Sequence, residues 1–198
     1  MENMLEFIKS RRSTRAFAPR AVEPEKLEQI VEAGRYAPSG GNSQSTHFFV
    51  ITDKAVLDEL AAKVKGEFAK MEVTEGMYRS LAGAIRAAHG ERYVFHYGAP
   101  ALIVTANRKD YGNNMADCAC ALENMMLMAN ALDLGSCWIN QLKWLNENPV
   151  LLETFRRLGL EEDERIYGAV SIGVAATDDG LPNRKPLPRT GNPVTKIG

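Results

Sequence analysis

The chain has 198 residues, with 24 Lys and Arg against 25 Asp and Glu and a formal net charge of -1. That balance provides no global field for nucleic acid or an acidic membrane, and an apolar content of 45% suffices for a sizeable core. One compact domain over residues 1–198 is expected. The opening MENMLEFIKS has acidic residues and no long apolar run, unlike a secretory signal. Three cysteines, an odd count, argue against a disulfide framework and for a cytoplasmic protein.

Met4, Leu5 and Ile8 predict a short amphipathic helix ending near Ser10. Arg11-Arg12-Ser13-Thr14-Arg15 follows. The planar guanidinium fork suits phosphate oxygens, and the hydroxyls add donors. The same five residues also describe a solvated basic helix end, where cations suit the dipole. Pro24 after Glu23 opens a second helix, with Leu27, Ile30, Val31 and Gly34 on one face to about Ala37. Pro38-Ser39-Gly40-Gly41-Asn42-Ser43 is a loop on composition. Its glycines let a ligand approach the backbone, and Asn42 and Gln44 can each donate and accept toward a flat heterocycle. A plain helix-to-strand connector would have the same composition. His47 to Thr52 reads as a strand, and Leu57, Leu60, Ala61 and Val64 mark a third helix. Residues 74–95 are mixed and partly helical, in the manner of a mobile cover.

Ala101 to Ala106 is an unbroken apolar run, as in a central strand. Asn114 to Leu134 is the most strongly helical segment, with Gly135 expected as its C-cap. Asp117, Glu123, Asn124, Asn130 and Asp133 interrupt it, which argues against a membrane span. Its apolar character all round leaves no solvated face. Ser136 to Asn140 is a short strand, in which Trp138 could stack on a ring system or serve the core. Pro149 to Leu158 is a helix ended by Gly159, and Tyr167 to Ala175 is the last strand. From Thr177 the tail has no period and carries Arg184, Lys185, Arg189 and Lys196. Cys118 and Cys120 do not share a helix face, and His47, His89 and His96 make no metal spacing, so no metal site is expected. About five helices and four or five strands indicate an α+β class.

Five segments in order resemble the FMN-dependent nitroreductase family. They are Ser10-Arg-Arg-Ser-Thr-Arg-Ala-Phe17; Ala37-Pro-Ser-Gly-Gly-Asn-Ser-Gln44 with His47-Phe48; Gly98-Ala-Pro-Ala-Leu-Ile-Val104; Asp117-Cys-Ala-Cys-Ala-Leu-Glu-Asn-Met-Met-Leu127 leading into Leu134-Gly-Ser-Cys-Trp-Ile139; and Ser171-Ile-Gly173 before a basic tail. The match covers almost the full length. It implies a three-layer fold with a mostly antiparallel central sheet flanked by helices, in an intertwined homodimer with two interfacial FMN sites. The helix from Asn114 would form much of that interface. Arg11 is implied at the FMN phosphate, with Arg12 and Ser13 beside it and Arg15 near the flavin N1 and O2 edge. Pro38, Ser39, Gly40 and Asn42 would pack on the isoalloxazine, usually from the partner subunit, and Gln44 belongs to the same motif. The Trp138-Ile139-Asn140 backbone would approach the flavin N5, although Gly is common where this chain has Asn140. Arg184 and Lys185 resemble a basic pair that closes over the phosphate. The implied activity is ping-pong electron transfer from NAD(P)H to a nitroaromatic, quinone or similar small acceptor, with no general base. Alternatives on the same fold are a flavin-binding or sensing protein and a dehalogenase-like or flavin-fragmenting relative. Neither nucleic acid nor a membrane is an expected partner.

Overall fold

Four strands make one antiparallel sheet in the order β1-β2-β4-β3. They are β1 (His47–Ile51), β2 (Ala101–Arg108), β3 (Gly135–Ile139) and β4 (Glu164–Gly173). The computed structural model describes residues 3–198. The two central strands are covered on both faces, and β2 is buried without a break from Ala101 to Asn107. This explains why its sequence is an apolar run rather than an alternation. The register of β2 on β4 shifts between Thr105 and Ala106, leaving Tyr167 without a partner on β2. Such a bulge bends and twists the strand.

Helices cover both faces of the sheet. On one side α3 (Lys54–Ala69), α4 (Arg79–Ala88) and α7 (Pro149–Arg157) pack Leu60, Val64, Phe68, Ile85 and Phe155 against Phe49, Leu102, Val104 and Ala169. On the other, α2 (Pro24–Arg35) and α5 (Asn114–Ala131) pack Leu27, Ile30, Leu122, Met125 and Ala129 against Ile103, Val170 and Ile172. Each fully buried side chain of this size contributes roughly 1.5–3 kcal/mol. Helices α2 and α5 approach closely because Gly34 has no side chain: a Cβ there would lie 2.9 Å from the Met125 side chain. Local signals set the starts. Asp53 accepts from the backbone N–H groups of Ala55 and Val56, and Asn148 from Val150 and Leu151. Caps of this kind contribute about 1 kcal/mol.

Some expectations need correction. The long helix ends at Ala131, and Gly135 does not cap it. Asp133 takes the left-handed position with φ of 61°. Leu134 N–H donates to the Ala129 carbonyl at 2.8 Å and Asp133 N–H to Asn130 at 3.4 Å, a Schellman closure. Gly135 instead opens β3, where a Cβ would sit 2.7 Å from the Thr14 side chain. Residues 79–88 form an ordinary packed helix, and a four-residue helix, α6 (Gln141–Trp144), follows β3. The first helix, α1 (Met4–Ser10), forms as expected but buries none of its residues. Among the described residues, no helix is long and apolar enough to cross a membrane.

Candidate functional site

The basic cluster begins where α1 stops. Arg11 leaves the helix with extended backbone (φ -65°, ψ 125°). The chain then runs beside β3: Ser13 bridges Ser136 in parallel, and Thr14 N–H donates to the Ser136 carbonyl at 2.8 Å. Phe17 bridges Ala175 beyond the end of β4. Extended geometry puts alternate residues on opposite sides, so Thr14 packs on Gly135 while Ser13 and Arg15 face the other way. These last two share a neighbour. Burial raises the Cys137 thiol above its ordinary value, and Arg15, a hydrogen bond with Ser13, and Arg11 act against that rise. Arg15, Ser13 and Arg11 are therefore all near enough to influence the buried Cys137 thiol. The Arg11 Nε reaches Glu123 only at 3.7 Å. The Arg15 guanidinium lies 5.9 Å from the centroid of the Tyr97 ring, a cation–π arrangement.

The tail joins this cluster. Arg12 Nη1 donates to the Lys185 carbonyl at 2.5 Å. Arg184 Nη2 donates to the Asn130 carbonyl at 2.5 Å and to Asp133 Oδ1 at 2.6 Å. It caps the C-terminal end of α5, where a cation also suits the helix dipole. Asn130 Nδ2 in turn donates to Ser10 Oγ at 2.9 Å, tying in the end of α1. Of the implied basic pair, Arg184 is thus engaged with the helix. Among the described residues, the Lys185 ammonium is exposed and has no carboxylate or hydrogen-bond partner.

The Trp138–Asn140 segment borders the same cluster. Ile139 is 1% exposed and its side chain belongs to the core, so it can offer a ligand only its backbone. Trp138 packs over Gly168 on the α5 side of the sheet, and its indole N–H donates to Asn140 Oδ1 at 2.8 Å. Asn140 has φ of -97° and ψ of -14°. That right-handed backbone does not require glycine, so Asn is accommodated there and its amide anchors the indole. Beside this segment, Arg92, Tyr93, Phe95, Tyr97 and Gln141 line a cleft of about 560 Å³. Burial pushes the Tyr93 hydroxyl up to about 12, so the phenol stays protonated at neutral pH. The aromatic run Tyr93-Val-Phe-His-Tyr97 was the available signal for this cleft, but it matches no periodic pattern.

The second loop stands apart. Pro38, Ser39, Asn42 and Gln44 line a separate cleft of about 540 Å³ together with Arg35 and Phe48. Gly41, Asn42 and Gln44 have φ of 59°, 54° and 50°. For the two that are not glycine, this costs roughly 1–2 kcal/mol each. Gly40 N–H donates to the Asp117 carboxylate, in the first turn of α5, at 3.1 Å. The basic cluster, in contrast, attaches at Glu123 and Asn130. Asp117 and Asn130 are about 20 Å apart along the helix axis. Among the described residues, no hydrogen bond or ion pair joins the loop to the arginine cluster. The structure therefore gathers Arg11, Arg12, Ser13, Arg15, Trp138, Ile139, Asn140, Arg184 and Lys185 at one place. It holds Pro38, Ser39, Gly40, Asn42 and Gln44 at another. Sequence reasoning missed Tyr97, Gln141, Asp117 and Tyr111, whose relevance depends on contacts between distant segments.

Residues 8–174 match the model of the Nitroreductase family. A nitroreductase from Bacteroides fragilis, solved with bound FMN, superposes with a TM-score of 0.85 at 34% identity, covering 100% of both chains. A putative NADH dehydrogenase/NAD(P)H nitroreductase from Archaeoglobus fulgidus is 29% identical over 177 residues, 87% of this chain and 86% of its own. A nitrobenzene nitroreductase from Ectopseudomonas oleovorans is 28% identical over 209 residues, 91% of this chain and 89% of its own.

Proposed function

The chain belongs to the nitroreductase family, and from that premise we propose that it is an FMN-dependent oxidoreductase carrying electrons from NAD(P)H to a nitroaromatic, quinone or similar small acceptor. The observation that carries this reading is the donor set at the end of α1. Among the described residues, Arg11 has only a long contact to Glu123 at 3.7 Å, Arg12 is held by the tail, Ser13 is exposed, and the Lys185 ammonium has no partner. Guanidinium forks, a hydroxyl and an ammonium fit the terminal monophosphate of FMN in chemistry and in charge. The residues present therefore suit the group.

When bound, FMN supplies the redox chemistry, accepting a hydride at N5 and later releasing two electrons; the protein supplies binding, orientation and electrostatics. Arg11, Arg12, Ser13 and Lys185 would hold the phosphate. Arg15 would place a positive charge at the pyrimidine edge, where preorganised charge is worth most. The Trp138–Asn140 backbone, held in place by the Trp138–Asn140 side-chain bond, would line the N5 side. The cleft at Tyr93, Tyr97 and Gln141 adjoins both, through Tyr97 beside Arg15 and through Gln141 next to Asn140, and offers an aromatic bed for a flat reductant or acceptor. No side chain needs to act as a general base.

We further propose a homodimer in which the Pro38–Gln44 loop of one subunit completes the site of the other. Its separation from the arginine cluster supports this. So does the unburied apolar face of α1, where Met4, Leu5 and Ile8 are 65%, 56% and 45% exposed. On α5, Met115 is 52% exposed. The three free cysteines, two of them buried, suit a reducing cytoplasm.

The test is an absorbance spectrum of the purified protein, chromatography of the heat-released cofactor, and steady-state NAD(P)H oxidation with nitroaromatic and quinone acceptors. FMN and parallel double-reciprocal plots are expected. FAD, or no flavin binding at all, refutes the reading. FMN binding without NAD(P)H oxidation would instead identify a flavin-binding or sensing module.

A further inference from the structure

The backbone of the Ser39–Gln44 loop is strained, and its support comes from a residue outside it. Asn42 and Gln44, neither of them glycine, lie at positive φ next to Gly41. Conformations of this kind persist only where the surroundings over-determine them. The surroundings here are Asp117 and Tyr111. Asp117 is 5% exposed. Its Oδ1 accepts from Gly40 N–H at 3.1 Å and its Oδ2 from the same group at 3.3 Å. Oδ2 also lies 3.0 Å from the Tyr111 hydroxyl and 3.5 Å from Ser43 Oγ. The Tyr111 hydroxyl is 3.0 Å from the Gly40 carbonyl and 3.1 Å from Ser43 Oγ. A phenol has one proton. It therefore serves Asp117 or the Gly40 carbonyl, while Ser43 donates to it. Gly40 is held at its N–H by Asp117, and its carbonyl faces the Tyr111 hydroxyl. The seat leaves no room: a Cβ on Gly40 would meet Asn113 Nδ2 at 2.0 Å and the Tyr111 hydroxyl at 2.6 Å. The carboxylate also stands in the first turn of α5, where the helix dipole favours negative charge. Ser39 Oγ closes the loop from within by accepting from Gln44 N–H at 3.1 Å.

We propose that Asp117, acting with Tyr111, is a positioning residue for the cofactor site. It fixes the Ser39–Gln44 loop in the strained shape that presents Ser39, Asn42 and Gln44 at the cleft. This rests on the reading of that loop as part of the FMN site. Asp117 also borders that cleft, and the role proposed for it is exerted through the loop. The arrangement couples the loop directly to α5, the helix we place at the subunit interface.

The experiment uses the full-length protein with Asp117→Asn, Tyr111→Phe and the double variant. Asp117→Asn keeps the shape but sets an amide N–H₂ among donors. Tyr111→Phe keeps the ring and removes the hydroxyl. Apoprotein is titrated with FMN, and apoprotein Tm and the visible spectrum of the bound flavin are recorded alongside. Losing a charged hydrogen bond to the loop should raise the FMN Kd about tenfold or more and alter the flavin band shape, beyond what the accompanying fall of a few degrees in apoprotein Tm explains. The double variant should be no worse than Asp117→Asn, because both act through Gly40 and Ser43. Wild-type protein that binds FMN, with an unchanged Kd in the variants, overturns the proposal. So does a Kd that worsens only in step with apoprotein Tm, since that marks a purely structural contact. If Asp117→Asn does not fold, Tyr111→Phe alone decides between these outcomes. Wild-type protein that fails to bind FMN refutes the functional reading itself, a result distinct from both.

Discussion

The Arg15 guanidinium lies 5.9 Å from the Tyr97 ring centroid, and Tyr97 is held there by a turn in which it and Gly98 both have positive φ, 58° and 69°. An exposed arginine is thereby given a defined position instead of a solvated ensemble. In the proposed site that position is the pyrimidine edge of the flavin, where negative charge would develop on reduction. Arg15→Gln should make the bound flavin harder to reduce, so its midpoint potential should move to more negative values even at saturating FMN. A loss of about 1.4 kcal/mol corresponds to roughly 30 mV for the two-electron couple. Tyr97→Leu should shift it in the same direction by less. Spectroelectrochemical titration of FMN-saturated protein measures both. An unchanged potential with weakened FMN binding would transfer Arg15 to the phosphate group.

The tail divides into two functions that mutation should separate. Lys185→Ala and Arg11→Ala remove donors from the proposed phosphate site. Each should raise the FMN Kd by about tenfold to a hundredfold, the usual effect of a charged hydrogen bond, and leave the potential of bound flavin unchanged. Arg184→Ala removes the cation on the last turn of α5 and its contacts to Asn130 and Asp133. Helix-end charges contribute about 0.3–1 kcal/mol, so the apoprotein Tm should fall by a few degrees with a smaller effect on FMN. Differential scanning calorimetry and FMN titration of the three variants provide the contrast. Equal losses of affinity in all three would assign Arg184 to the phosphate as well.

The strands and most helices were legible because their signals are local. Ala101 to Ala106 is apolar without a break, Pro24 and Pro149 open helices, and the α2 stripe repeats at helical spacing. The end of α5 was misread because glycine is the usual left-handed residue, and here Asp133 takes that role. Gly135 is glycine for a different reason, its contact with Thr14, and no local rule reveals a contact between residues so far apart. The same holds for the site. Arg11, Arg12, Ser13 and Arg15 stood out by density of charge. Tyr97, Gln141 and Asp117 did not, because what they do depends on which distant segment each one meets.

His96 provides a pH prediction. It is 4% exposed, and among the described residues neither ring nitrogen has a hydrogen-bond partner. Burial lowers its proton affinity below the ordinary histidine value, outweighing the backbone groups and Asp58 that act the other way. The folded state therefore favours the neutral ring, whereas the unfolded chain protonates near its ordinary value of 6.5. Its contribution to stability is present above that pH and is lost as pH falls from there toward the depressed folded value. Urea unfolding of the wild type should give a midpoint that declines from pH 7.5 to pH 5, a window spanning the ordinary histidine value. His96→Leu should flatten that decline. An unaltered slope in the variant would show that other groups cause the acid sensitivity.

The proposed dimer makes a demand on residues remote from any cofactor. The loop attaches to α5 at Asp117, whereas Arg11 meets the helix at Glu123, about 9 Å along its axis, and the tail meets it at Asn130, about 20 Å along; in the proposed dimer a second copy completes the site. The surface available for it is apolar and unburied: the Met4, Leu5 and Ile8 face of α1, and the side of α5 that exposes Met115 and Cys120. Obligate interfaces of this kind are large and resemble a divided core. A charge placed in one should be expelled rather than accommodated. Ile8→Glu and Cys120→Glu should therefore shift the protein from dimer toward monomer in light scattering under reducing conditions. FMN affinity should fall in the same variants, although neither residue is assigned a contact with the cofactor. Dilution of the wild type should give the same linkage, with flavin released as the dimer dissociates. A micromolar monomer that keeps full FMN occupancy would mean that the arginine cluster binds the cofactor alone. The Pro38–Gln44 loop would then need another role.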